Sequence, residues 1–155
     1  MKIAEKSSHM WRIGEILIRK GLISWDQLDH ALAIREATGR KTGEVLVQRG
    51  MVSQKKLFQG LADQSGMTFA DLENVTPQTE ALDAVPKRLA YEYHIMPLVS
   101  NEDTILIAAS NPMTPWAETD ILTYTRFKDI RTVLSSPEDI EHALARYYGK
   151  EGMAA

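Results

Sequence analysis

Residues 12–35 and 41–64 of this chain are two copies of one pattern, offset by 29 positions. Gly14, Glu15, Leu17, Gly21, Ser24, Leu28, Leu32 and Ala33 fall on Gly43, Glu44, Leu46, Gly50, Ser53, Leu57, Leu61 and Ala62. Ile16, Ile18, Leu22 and Ile23 fall on Val45, Val47, Met51 and Val52. Agreement this dense in a window this short is beyond chance and marks an internal repeat, which is read before anything else.

Each copy reads as a helical hairpin. Ile13, Ile16 and Leu17 form one apolar face at helical spacing. Lys20-Gly21 then supplies a basic last turn and a glycine suited to a left-handed cap. Ser24 caps a second helix, with Gln27 as its capping-box partner, and Leu28, Ala31 and Leu32 form the apolar face. The second copy repeats this with Val45, Leu46, Gly50, Ser53, Leu57 and Leu61, and its box is incomplete because Lys56 stands where Gln27 stood. Residues 36–40 are expected to join the copies.

The remaining chain changes character. Phe69 sits in a short extended piece. Thr76-Pro77 reads as an N-cap with proline in the first turn, opening a helix towards Ala84. Pro86 opens another, Lys87–Tyr93. Ile95–Val99 and Thr104–Ala109 are strands around the turn cluster Ser100–Asp103, which makes a hairpin. The apolar run Ile105–Ala109 predicts burial on both faces. Trp116–Tyr124 is helical, Ile130–Leu134 is a third strand, and Ser136 caps a last helix, Glu138–Tyr148. Strand, strand, helix, strand, helix predicts a small sheet covered by helices.

Charge and composition narrow the function classes. The formal net charge of −3 hides an asymmetry. Residues 12–64 hold nine Lys or Arg against six Asp or Glu, whereas residues 65–155 hold seven against fourteen. A mildly basic repeat lobe suits an anionic ligand and lacks the basic stripe expected for duplex DNA. The chain has no cysteine, hence no disulfide framework or thiolate chemistry. No apolar run approaches the roughly 20 residues of a membrane span, and residues 1–10 lack a secretory core. The expected setting is cytoplasmic. His9, His30, His94 and His142 show no metal-ligand spacing. Gly39-Arg-Lys-Thr42 ends like a phosphate-binding loop but lacks its glycine spacing and a preceding strand. No nucleophile, base and acid stand in a recognisable set, so no enzyme activity and no cofactor are expected.

With those residues in view, the chain resembles the N-terminal domain of type II secretion and type IV pilus assembly ATPases. More narrowly, it resembles the tandem-motif form found in the mannose-sensitive haemagglutinin pilus ATPase. Arg12-Ile-Gly14, Gly21-Leu-Ile23, Leu28 and Leu32, repeated after a spacer, carry the likeness. Val85-Pro86, Pro97-Leu98, the Ile105–Ala109 strand followed by Asn111-Pro112, and Tyr147-Tyr148-Gly149 extend it over residues 10–149. The resemblance implies binding of cyclic di-GMP, each motif holding one half of a two-fold symmetric ligand. It places Arg12, Ile13, Gly14, Lys41, Thr42, Gly43 and Gln64 at the ligand, with Arg35 where the first motif closes. Asn111 falls where the downstream lobe of the family adds an acidic contact.

Three positions depart from the family pattern. Arg35 replaces the closing glutamine of the first motif. Lys41 and Thr42 replace an opening Arg-Leu, and lysine keeps the charge but loses the planar fork of arginine. Read on local grounds alone, Arg12 and Lys41 are surface charges and Asn111 is a turn residue before proline. Gly14 and Gly43 serve either close ligand approach or close helix packing. Trp11, Trp25 and Trp116 are expected as half-buried wedges, and Trp11 could instead stack on a purine.

The expected fold is therefore α+β. A lobe over residues 10–65 holds four helices in two tandem hairpins, and a small α/β lobe over residues 66–150 carries a roughly three-stranded sheet. The expected function is a cyclic di-GMP receptor or regulatory domain linked to type II secretion or type IV pilus machinery. Its partners would be the nucleotide and a protein of that machinery, without nucleic acid and without direct membrane insertion. The alternative is a protein-docking adaptor of the same fold that takes no nucleotide.

Overall fold

A computed structural model describes the backbone of residues 8–149 and the side chains from residue 13. The chain divides into two compact units, residues 1–66 and 67–155. The first holds helices α1 (Ser8–Arg19), α2 (Trp25–Thr38), α3 (Thr42–Gln48) and α4 (Gln54–Ser65). The second holds α5 (Thr79–Ala84), α6 (Lys87–Tyr93), β1 (Ile95–Ser100), β2 (Thr104–Ala109), α7 (Pro115–Thr123), β3 (Asp129–Leu134) and α8 (Pro137–Tyr147). The fold is α+β, as the sequence pattern indicates.

The repeat is obeyed at the level of single hydrogen bonds. Gly21 lies at φ 74° and Gly50 at φ 71°. Behind Gly21, its own N–H donates to Ile18 O (2.9 Å) and Leu22 N–H to Leu17 O (2.9 Å). Behind Gly50, the equivalent bonds are Gly50 N–H to Val47 O (3.0 Å) and Met51 N–H to Leu46 O (2.9 Å). These pairs are the Schellman closure that satisfies the last helical carbonyls. Gln27 N–H donates to Ser24 Oγ and Ser24 N–H to Gln27 Oε1, completing the capping box. In the second copy Lys56 N–H donates to Ser53 Oγ, and Lys56 has no acceptor with which to reciprocate.

The two hairpins do not form two separate pairs. α1 packs along α4 and α2 along α3, so each copy lays its helices mainly on the other copy. Exchanging the copies carries one pairing onto the other, which gives the lobe a pseudo-two-fold arrangement. Leu17, Leu28, Leu46 and Leu57 fill its core with Ile13, Ile23, Ala31, Val45 and Val52. Leu32 and Leu61 are half-buried at its margin. Residues 36–38 are helical rather than part of a linker. α2 runs on to Thr38 and stops at Gly39, whose N–H returns to Arg35 O at 2.7 Å.

The second lobe is a mixed sheet in the order β1-β2-β3. β1 and β2 are antiparallel, with Ile95 opposite Ala109 and Ser100 opposite Ile105. β2 and β3 are parallel, from Thr104 opposite Asp129 to Ala109 opposite Leu134, with α7 as the crossover. Helices α5, α6 and α8 pack on β1, and α8 also reaches β2. Ile105, Ile107, Ala108 and Ala109 are buried between these layers. Phe69 bridges Leu134 in parallel, so the short extended piece extends the β3 edge.

One helix starts later than its sequence suggests. Thr76-Pro77 does not open α5, which begins at Thr79 with Gln78 as N-cap. The β1 ladder slips between Pro97 and Val99, where proline offers no N–H. Gln78 N–H donates to Leu98 O (2.8 Å), and Gln78 Oε1 accepts from Ser100 N–H (3.2 Å). Residues 76–78 are thereby drawn along the strand edge, and the helix waits until they are past it. Trp25 and Trp116 are 54% and 76% exposed, so they do not act as wedges. Trp11, like residues 1–7 and 150–155, lies outside the described side chains.

Gly21 and Gly50 allow a clean test of the repeat, because a Cβ at either would meet nothing within 4 Å. Gly21→Ala and Gly50→Ala should each cost about 1 kcal/mol through left-handed strain alone. Urea denaturation of the two variants should give similar losses.

Candidate functional site

Arg12, Ile13 and Gly14 lie inside α1, which begins upstream at Ser8. Their repeat equivalents Lys41, Thr42 and Gly43 lie at the start of α3, where Lys41 is the N-cap. The same motif is therefore held mid-helix in one copy and at a helix end in the other. The Arg12 side chain falls outside the described residues. Lys41 is exposed, Arg35 is half-buried in the last turn of α2, and Gln64 is half-buried and engaged at the end of α4.

Packing explains both motif glycines. A Cβ on Gly14 would stand 2.8 Å from both δ-methyls of Leu28, and one on Gly43 would stand 3.0 and 3.2 Å from those of Leu57. Leu28 and Leu57 are repeat equivalents and both are buried. Each glycine thus admits the leucine of its own hairpin against the helix backbone. Gly60 plays the same part between copies, since a Cβ there would meet Ile13 at 3.0 Å and Leu17 at 3.2 Å. Ile13, at 5% exposure, belongs to the lobe core.

Thr42 is the discordant member. It occupies the register of Ile13 and is 2% exposed, yet its Oγ1 has no hydrogen-bond partner. A buried hydroxyl without a partner costs on the order of 1–3 kcal/mol. The alignment of Thr42 on Ile13 was visible in the sequence, and its burial follows from it.

Asn111 belongs to the second lobe, in the turn after β2. It lines a cleft of about 230 Å³ with Tyr93, His94, Ser110, Met113 and Thr114. Thr114 Oγ1 accepts from Ala117 N–H and caps α7, with Pro115 in the first turn. The cleft therefore opens at the carboxyl end of a strand and at a helix start, where α/β crossovers commonly take ligands. Tyr93 donates its hydroxyl to Asp120, and that hydrogen bond, aided by desolvation and the carboxylate charge, pushes the phenol up to about 12. His94 holds φ 54° at the end of α6 and stands 3.7 Å from Glu141.

The second lobe also holds a carboxylate group that sequence reasoning missed. Asp71, Glu73 and Asp139 bring ligand oxygens within 4.8 Å of one another. All three are already engaged in polar contacts, including Asn74 Nδ2 to Asp71 Oδ2 at 2.8 Å. Residues so far apart in the chain meet through tertiary folding, and nothing in their spacing announces it.

The MshEN domain family matches residues 65–154. The chain belongs to this family, the N-terminal domain of type II secretion and type IV pilus ATPases. Its sequence is 30% identical over 141 residues to the type IV pilus assembly ATPase PilB of Myxococcus xanthus, covering 91% of this chain and 25% of PilB. It is 28% identical over 138 residues to PilB of Thermus thermophilus, covering 88% of this chain and 15% of that protein. The chain thus spans a quarter or less of the length of these relatives. Among solved structures, MshE with cdg superposes with a TM-score of 0.67 at 27% identity, over 88% of this chain and 99% of that one. The N-terminal domain of XpsE shares the fold, with a TM-score of 0.58 at 19% identity over 89% and 94% of the two chains.

Gly14→Ala should destabilise the protein by about 1–2 kcal/mol despite the better helix propensity of alanine, because the buried Leu28 must shift to admit the methyl. Gly43→Ala should cost less, in keeping with its longer contacts. Thr42→Val should stabilise by about 1 kcal/mol by removing the unpaired hydroxyl at constant shape. Thermal melts of the three variants should rank them in that order.

Proposed function

We propose that this chain is a receptor domain for cyclic di-GMP that regulates a type IV pilus or type II secretion machine from the cytoplasmic side, with no catalysis of its own. The observation that carries this reading is the likeness to MshE with cdg along nearly the whole of both chains. The pseudo-two-fold lobe supports it, since a ligand built of two guanylyl halves can meet equivalent backbone twice. Among the described residues no helix is long and apolar enough to cross a membrane.

In this reading Arg12 and Lys41 supply charge to the two halves, and of these two only Arg12 offers a planar fork to guanine or phosphate. Gly14 and Gly43 leave the helix backbone bare. Arg35 and Gln64 contribute the remaining polar contacts of the repeat lobe. The side chains of Ile13 and Thr42 support the motif from within the core.

The adaptor reading rests on the departures of Arg35, Lys41 and Thr42 from the family pattern. In that reading the lobes bind a protein of the same machinery and take no nucleotide.

Calorimetric titration with cyclic di-GMP, with GTP and cyclic di-AMP as controls, separates the two. The receptor reading expects saturable binding selective for cyclic di-GMP, weakened at least tenfold by Arg12→Ala. Absence of heat and of any thermal shift at high nucleotide concentration would sink it in favour of the adaptor.

A further inference from the structure

We propose that the first turn of α3, from Lys41 to Glu44, opens locally in the unliganded protein, and that a ligand seated on the second copy of the repeat closes it. The second clause rests on the receptor reading above, while the first stands on geometry alone.

Three features of this turn coincide. Its N-cap, Lys41, has extended backbone but no side-chain acceptor, whereas Ser24 and Ser53 cap α2 and α4 with their hydroxyls. The first N–H groups of a helix need such an acceptor or water. The next residue, Thr42, buries a hydroxyl that has no partner when the turn is closed and would reach water when it opens. The third, Gly43, is the residue with the most conformational freedom to regain, and a Cβ there would stand 3.0 and 3.2 Å from the δ-methyls of Leu57.

What holds the turn is limited. Glu44 lies in the first turn, where a carboxylate favours the helix dipole. Arg40 Nη1 donates to Gln48 Oε1 at 2.6 Å on the exposed side of α3. Val45 and Leu46 are 1% and 0% exposed and anchor the rest of the helix, so opening stops before them. The equivalent residues 12–14 lie about a turn inside α1, which begins at Ser8, and not at its first residue. The repeat therefore offers a ligand one standing half and one half that forms on contact. Ordering a segment on binding weakens apparent affinity by the fraction of molecules that are already closed, and a substitution that closes it beforehand should strengthen binding.

Amide exchange on the 155-residue chain tests this. Leu28, Val45 and Leu57 each donate to the carbonyl of their own helix N-cap, at 3.0, 3.1 and 3.0 Å, and all three are buried. The protection factor of Val45 should be at least tenfold below those of Leu28 and Leu57. Equal protection of the three would overturn the proposal. Thr42→Val and, separately, Lys41→Ser should each raise Val45 protection several-fold, and no change in either variant would overturn the cause assigned to it. With cyclic di-GMP added, saturable binding together with at least tenfold slower exchange at Val45 supports the coupling. Binding that leaves Val45 unchanged overturns the coupling. Lack of binding overturns the receptor reading, and the coupling with it, while the contrast between amides still decides the first clause.

Discussion

The N-terminal lobe depends on a leucine seated against a bare stretch of helix. Leu28 meets α1 at Gly14 and Leu57 meets α3 at Gly43. The contact fixes how close the two helices of a hairpin come. The rest of each apolar stripe is covered by the other copy. α1 then lies along α4 and α2 along α3, with Gly60 permitting the first of these pairings to close. The glycines are costly in a helix, and both are kept where a methyl group would collide with a core leucine.

The second lobe solves a different problem, which is to hold a small mixed sheet with short helices. Two phenols do much of this. Tyr148 places its hydroxyl 3.0 Å from Leu82 O and 3.1 Å from Val85 O, at the junction of α5 and α6. Tyr91 reaches Leu144 O and Gly149 O, both at 3.2 Å, from α6. Burial, aided by the Asp83 charge, holds the Tyr148 phenol well above its ordinary ionisation range, so it stays a donor into alkaline solution. The last helix is thereby tied to the pair that precedes the sheet. The sheet is left to present the turn after β2, where Asn111 lies.

Much of this was legible in the sequence, and for identifiable reasons. The Schellman glycines, the serine caps and the apolar spacing are local chemistry repeated at a fixed offset, so each copy vouches for the other. The strands were legible because a buried run between turn residues has few alternatives. Crosswise pairing of the helices was not legible, because periodicity says which face is apolar and not which neighbour covers it. Thr76-Pro77 misled because a local capping signal lost to two hydrogen bonds from the β1 edge. Exposure misled at Trp116, since the size and apolarity of a side chain do not compel burial. At the candidate site, Asn111 and the motif residues are candidates by resemblance alone. The reason for Gly14 and Gly43 became visible only with Leu28 and Leu57 in place.

The crosswise lobe has the geometry of a symmetric dimer written into one chain. Two separate hairpins paired this way would have to meet in solution, and the lobe would thin out on dilution. The link through Gly39, Arg40 and Lys41 replaces that encounter with ring closure at a high effective concentration. A true dimer must also put the same residue at both ends of its axis. Fusion lifts that restriction. Gly60 can stand where its counterpart is Ala31, and Thr42 where its counterpart is Ile13, so one half can drift while the other keeps the shape.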